Sequence, residues 1–178
     1  MLSVKNLINT IKKNNISFFC GVPDSILKHL STSLSKLNSK NHKLAVNEGS
    51  AVAMGIGHYL ETKKVPCIYM QNSGLGNAIN PLISIAHQKV YSIPMVLLIG
   101  WRGAPGETDE PQHMVKGKIT KKLLELLNIK FCILSKEADL KKFDILIKNS
   151  KKNNSIVACL IKNKTLTSKI KKKKKFLR

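Results

Sequence analysis

Short, almost wholly apolar runs alternate along this chain with segments of helical period, and that alternation most constrains what it can fold into. Residues 16–20, 44–46, 65–70, 93–99, 130–134 and 155–161 each read as a strand. Between them lie segments of helical reading. Val4, Leu7, Ile8 and Ile11 mark one over residues 3–14, and Ile26, Leu27, Leu30 and Leu34 mark a second. Residues 48–60, 77–86, 118–127 and 136–148 supply the rest. Strands that are apolar on both faces and separated by helices belong to a parallel sheet covered on both sides. The expected fold is therefore α/β, a three-layer sandwich around a mostly parallel six-stranded sheet. A length of 178 residues suits one such domain, expected over residues 1–165, followed by a Lys-rich and disordered tail over 166–178.

In such a sheet the carboxyl ends of the strands share one edge, where ligands bind. Four strand ends carry unusual loops: 21–25, 47–50, 71–77 and 100–117. They are expected to converge. Residues 44–46 read as the end of a buried strand, which hands Asn47 and Glu48 to that rim as a helix begins. Glu48 either serves a ligand or merely complements the dipole of the helix it opens. Pro23 fixes the backbone of the first loop, and Asp24 or Ser25 can cap the helix that follows. Around Gly74 and Gly76, backbone N–H groups can approach a ligand, while Asn72 or Ser73 can cap. The Gly-Leu-Gly piece does not complete the dinucleotide fingerprint, because Ile79 stands where the third glycine belongs, and no Walker sequence is present. Residues 100–117 show no periodicity and read as a long loop. This loop holds the single Trp, Arg102, and three acids (Glu107, Asp109, Glu110) of only 10 in the chain. Such concentration favours a functional loop.

The net charge of +21 is carried by 29 lysines and only two arginines. Few arginines and few aromatics argue against a dedicated nucleic-acid binder, although attraction for small anions follows. Cys20, Cys67, Cys132 and Cys159 form no Cys-x-x-Cys pair and sit in or beside apolar runs, so they read as buried packing residues. No run is long enough to span a membrane and no signal-peptide block opens the chain, so a cytoplasmic protein is expected.

Gly21-Val22-Pro23-Asp24-Ser25, Asn47-Glu48-Gly49, Tyr69 through Asn77, Gly100-Trp101-Arg102-Gly103 and Asp109-Glu110-Pro111-Gln112-His113 together resemble the phosphonopyruvate decarboxylases. The related sulfopyruvate decarboxylases share part of the pattern. The resemblance runs in order from about residue 5 to residue 165, and its longest motif is specific. It implies a thiamine-diphosphate-dependent 2-keto acid decarboxylase, a carboxy-lyase that converts 3-phosphonopyruvate to phosphonoacetaldehyde and CO₂. The fold implied is the pyrimidine-binding domain of that family. The family's second domain, which holds the diphosphate and Mg²⁺, carries a Gly-Asp-Gly run that occurs nowhere here. The isolated chain is therefore expected to be inactive. The missing half would come from a partner domain or subunit in a homo- or hetero-oligomer, as with a sulfopyruvate decarboxylase alpha-type subunit, or the chain is a truncated, non-catalytic homologue.

The resemblance also implies roles. Glu48 would be the cofactor-activating acid, with Pro23, Asn72, Ser73, Gly74 and Asn77 beside it as cofactor-binding residues. Asp24 and His113 would be acid–base groups. Arg102 and Gln112 would join those two around a small anionic 2-keto acid, Arg102 being the candidate phosphonate contact because a planar guanidinium matches that group. Arg102 has an alternative as the ion-pair partner of Glu107 or Asp109, His113 as a residue that only orders its loop, and Asn72 and Asn77 as helix caps. No metal ligand is expected in this chain.

Overall fold

The computed structural model describes residues 1–168. In chain order the elements are β1 (Leu2–Ser3), α1 (Val4–Lys12), β2 (Phe19–Gly21), α2 (Lys28–Leu34), β3 (His42–Leu44), α3 (Glu48–Thr62) and β4 (Cys67–Gln71). They continue as α4 (Leu75–Pro81), β5 (Met95–Trp101), α5 (Pro111–Leu126), β6 (Lys130–Leu134), α6 (Leu140–Asn153), β7 (Ile156–Lys162) and β8 (Leu166–Thr167). Six strands form one parallel sheet in the order β3-β2-β4-β5-β7-β6. Helices pack on both faces of it, which gives the three layers expected.

The centre of the sheet is β5, whose seven residues are all buried. Its side chains alternate between the two cores. Met95, Leu97, Ile99 and Trp101 join Ile68, Met70, Ala158 and Leu160 beneath α3, α4 and α5. Val96 and Leu98 join Tyr69, Cys159 and Phe143 beneath α1, α2 and α6. Each aliphatic side chain taken fully out of water contributes about 1.5–3 kcal/mol, so β5 and its neighbours dominate the stability of the fold. Cys20, Cys67 and Cys159 are buried and Cys132 is partly so; all four are free thiols within strands. Burial pushes the Cys20 thiol up to about 11, which leaves it an inert packing group at neutral pH.

α1 and α6 are tied together at Asp144, which accepts from Asn14 Nδ2 (2.7 Å) and pairs with Lys13 (3.3 Å) and Lys148 (3.0 Å). These donors hold its carboxyl down at about 2. α4 passes into a wide π-helical turn over Leu82–Ala86 directly after Pro81, whose ring nitrogen has no hydrogen to give to the ladder.

Several expectations need correcting. The apolar residues 44–46 do not end a buried strand. β3 is the edge of the sheet, paired only with β2, and stops at Leu44; Leu44 is 63% and Val46 92% exposed. The stretch 100–117 is a loop only from Arg102 to Glu110, because Gly100 and Trp101 finish β5 and Pro111 opens α5 at its first turn. Proline there is preorganised for a helix start. Gly117 inside that helix concealed the period: a Cβ at Gly117 would fall 1.7 Å from the Gly103 carbonyl oxygen, so bare backbone is what lets α5 lie against the loop. Leu166 and Thr167, expected to begin the tail, form β8 and pair in parallel with Leu2 and Ser3. The rest of the expected tail, from residue 169 on, lies outside the described residues. Among the described residues no helix is long and apolar enough to cross a membrane.

Candidate active site

The carboxyl ends of β2, β4 and β5 put three of the four loops on one rim, and the start of α3 brings the fourth. Each joint between them can be named. Asn47 caps α3 by accepting from Ser50 N (2.8 Å), which seats Glu48 in the first turn. The Glu48 side chain, partly buried, lies over Gly74 at the end of the short 3-10 turn Asn72–Gly74. A Cβ at Gly74 would stand 2.2 Å from Glu48 Cδ and Oε1, so only glycine leaves the carboxyl its seat. Asn77 Nδ2 donates to Glu48 Oε2 at 2.8 Å and holds that oxygen from the side. Asn77 is thus not the cap of α4, which is Gly74; its amide orients Glu48.

Asp24 occupies the next loop. Its Oδ1 accepts from Ile26 N (2.5 Å) and Leu27 N (3.1 Å), which closes the turn ahead of α2; it does not cap that helix, whose N-cap is Leu27 with no side-chain bond. Its Oδ2 is buried against the backbone of Gly100 without a hydrogen-bond partner. Burial raises the carboxyl above its ordinary value, and the two backbone N–H groups and the nearby Arg102 charge only partly offset this. His113 also keeps a buried ring nitrogen, Nδ1, without a partner. It stands in the first turn of α5, not in an open loop, with Gln112 exposed beside it.

Arg102 is not a free cation. Its Nε donates to Asp109 Oδ2 at 2.7 Å and its Nη2 to Asp109 Oδ1, so the fork is closed by Asp109, while Nη1 reaches Ser25 Oγ at 3.4 Å. Of the two acids considered as its partner, the structure selects Asp109. The Asp109 carboxylate also accepts from Gly103 N (3.1 Å) and Glu110 N (2.9 Å). The Arg102 bond holds its carboxyl far below the usual range, and the guanidinium is raised in turn. The Nη1 edge lies towards Ser25. Asn72 is corrected as well. It is buried, donates to Arg102 O (3.0 Å) and Thr120 Oγ1 (2.9 Å), and accepts from Arg102 N (3.1 Å). Its amide is a clasp between β4, β5 and α5, so a cofactor contact from this turn would come from backbone or from Ser73, whose hydroxyl accepts from Gln71 Nε2 (2.7 Å). Ser25, Asp109 and Thr120 enter the site without being singled out as site residues in the sequence. Asp109 was legible there as an acid near an arginine; Thr120 carried no signal at all.

The arrangement offers a carboxyl fixed at a rim, a second carboxyl with an idle oxygen, an imidazole with an idle nitrogen, and a guanidinium edge. Those groups can exchange protons with one heterocycle and bind one small anion. Residues 3–124 match the model of the thiamine pyrophosphate enzyme N-terminal TPP binding domain. The chain is 34% identical over 139 residues to phosphonopyruvate decarboxylase of Streptomyces viridochromogenes, covering 78% of this chain and 34% of that protein. It is 36% identical over 123 residues to sulfopyruvate decarboxylase subunit alpha of Methanocaldococcus jannaschii, covering 69% of this chain and 70% of that one. Benzoylformate decarboxylase from Polynucleobacter necessarius superposes with a TM-score of 0.61 at 16% identity, covering 100% of this chain and 33% of that structure, which speaks for the fold. The chain thus spans about a third of the length of the phosphonopyruvate decarboxylase it matches.

Proposed function

Because the chain belongs to the thiamine pyrophosphate enzymes, as their N-terminal TPP-binding domain, we propose that it is the pyrimidine-binding half of a 2-keto acid decarboxylase acting on 3-phosphonopyruvate. The single observation that carries the reading is the Glu48 seat, built by Gly74 beneath the carboxyl and Asn77 beside it. When bound, thiamine diphosphate supplies the electron sink that lets CO₂ leave a 2-keto acid. Glu48 would hold the aminopyrimidine ring of the cofactor through its carboxyl, which can give and take a proton there. Pro23, Ser73 and Gly74 line the ring through backbone and hydroxyl groups. Asp24, through its Oδ2, and His113, through its Nδ1, would hold or deliver protons at the substrate's carbonyl oxygen and at the carbon left when CO₂ departs. Arg102, locked by Asp109, turns its Nη1 edge to the phosphonate, and Gln112 borders the same anion.

The diphosphate and Mg²⁺ are held by a partner domain or subunit, and the chain is inactive alone. An unpartnered apolar surface supports this. Met54, Gly57 and Leu60 follow at three-residue spacing on α3; Met54 and Leu60 are 43% and 51% exposed, and Ile83 beside α4 is 42% exposed. Val46, two residues before Glu48, is 92% exposed as well. Apolar groups so placed belong under a partner. A sulfopyruvate decarboxylase alpha-type subunit is the second reading, favoured by the 70% coverage of an alpha subunit.

The test is reconstitution. The chain is mixed with a diphosphate-binding half, thiamine diphosphate and Mg²⁺, and CO₂ release is followed from phosphonopyruvate and, separately, sulfopyruvate. Turnover only in the mixture, with higher kcat/KM for phosphonopyruvate, is the expected result. Preference for sulfopyruvate selects the second reading, and a folded complex inert to both removes the enzymatic one.

A further inference from the structure

At the opposite edge of the sheet, away from the Glu48 rim, lies a cleft of ≈ 660 Å³. The apolar residues of its floor are Ile16, Leu37 and Val65, of which Leu37 is the most exposed, and Lys12, Lys63, Lys64 and Lys151 also line it, with no carboxylate among the lining residues. A simpler explanation for these lysines exists, because α1, α3 and α6 all bring their C-terminal ends here and cations there offset the helix dipole. The magnitudes decide against it as the whole explanation. Three helix ends amount to about −1.5 charges. Lys151 already spends its ammonium on the Asn14 carbonyl oxygen (3.0 Å). That neutral carbonyl removes none of its charge, so the four lysines against the three helix ends leave the cleft at roughly +2.5. Among the described residues Lys12 and Lys64 form no ion pair; the recorded pairs engage Lys13, Arg102 and Lys148.

We propose that this cleft binds a small phosphorylated heterocycle of nucleoside-diphosphate size. The volume falls within the range of pockets that enclose ligands of that kind. The apolar floor takes the ring, and Lys12, Lys63 and Lys64 take the phosphates. The site is remote from Glu48 and stands or falls apart from the decarboxylase reading.

ADP is the probe. Calorimetric titration of the whole chain at fixed ionic strength measures its affinity, inorganic pyrophosphate serving as the arm without a ring. Two paired variants are compared: K12Q/K64Q at the cleft and K118Q/K122Q on the exposed side of α5. ADP should bind the wild type, bind K12Q/K64Q about tenfold more weakly, and bind K118Q/K122Q unchanged. Pyrophosphate should bind more weakly than ADP. Independently of any variant, ADP should move the methyl resonances of Ile16 and Val65 in the wild-type chain. Absence of ADP binding, equal weakening in both variants, pyrophosphate as tight as ADP, or resonance shifts confined to the Glu48 rim would each overturn the proposal.

Discussion

Gly74→Ala separates the folding of this protein from its proposed chemistry. The added Cβ would lie 2.2 Å from the Glu48 carboxyl, and contacts under 3.0 Å are essentially never tolerated, so the carboxyl must retreat by about 0.8 Å or more. The backbone itself has no objection, since Gly74 sits at φ −77° and ψ −10°. Alanine at a compatible position gains about 0.4–1 kcal/mol by restricting the unfolded chain. Displacing Glu48 from Asn77 costs about 0.5–1.5 kcal/mol, the usual net value of one hydrogen bond. The two nearly cancel, so the melting temperature should change by no more than a few degrees. Activity should not survive as well. A misplacement on the order of 1 Å in a reacting constellation costs about 100-fold. Reconstituted Gly74→Ala should therefore melt like the wild type and release CO₂ roughly 100-fold more slowly. A variant that melts normally and keeps its rate within about threefold would refute the reasoning, because the seat beneath Glu48 would then be irrelevant to function.

Leu98→Ala, at the fully buried centre of β5, should lower stability by about 2–5 kcal/mol in chemical denaturation. Asp144 has its carboxyl held at about 2 against an ordinary 3.8, so its contribution is complete above pH 3.8 and is lost as pH falls through 2. Asp144→Asn should accordingly flatten the acid limb of a stability–pH profile, by on the order of 1 kcal/mol once solvent screening is allowed for. Asp24 has the opposite sign: burial raises its carboxyl, so its contribution to stability is complete below pH 3.8 and declines as pH rises through the folded value. Asp24→Asn should raise the melting temperature at pH 7, converge with the wild type below pH 3.8, and still abolish turnover in the reconstituted enzyme.

The sheet was legible in the sequence because its strands are apolar on both faces and the helices between them keep a clear period. The rim was legible for the same reason: once the strands are parallel, residues 24, 48, 72 and 102 must share an edge. What misled was local. Leu44 and Val46 are apolar yet exposed at the sheet's edge, and periodicity cannot tell an exposed apolar run from a buried strand. Gly117 broke the helical pattern of α5 although Pro111 announced its start. Side-chain pairing was out of reach. Nothing in the spacing says that Asn72 turns inward to Thr120, or that Asp109 rather than Glu107 closes the fork of Arg102.

The central claim is that the Glu48 carboxyl, cradled at Gly74, promotes proton removal from the bound cofactor. Exchange of the thiazolium C2 proton for deuterium, measured by NMR in the reconstituted complex before any substrate is added, reads that step alone. Replacing Glu48 with Gln should slow exchange by about 10²–10⁴-fold while the complex still forms and still binds thiamine diphosphate. Exchange at the wild-type rate in a fully loaded Glu48→Gln complex would contradict the account.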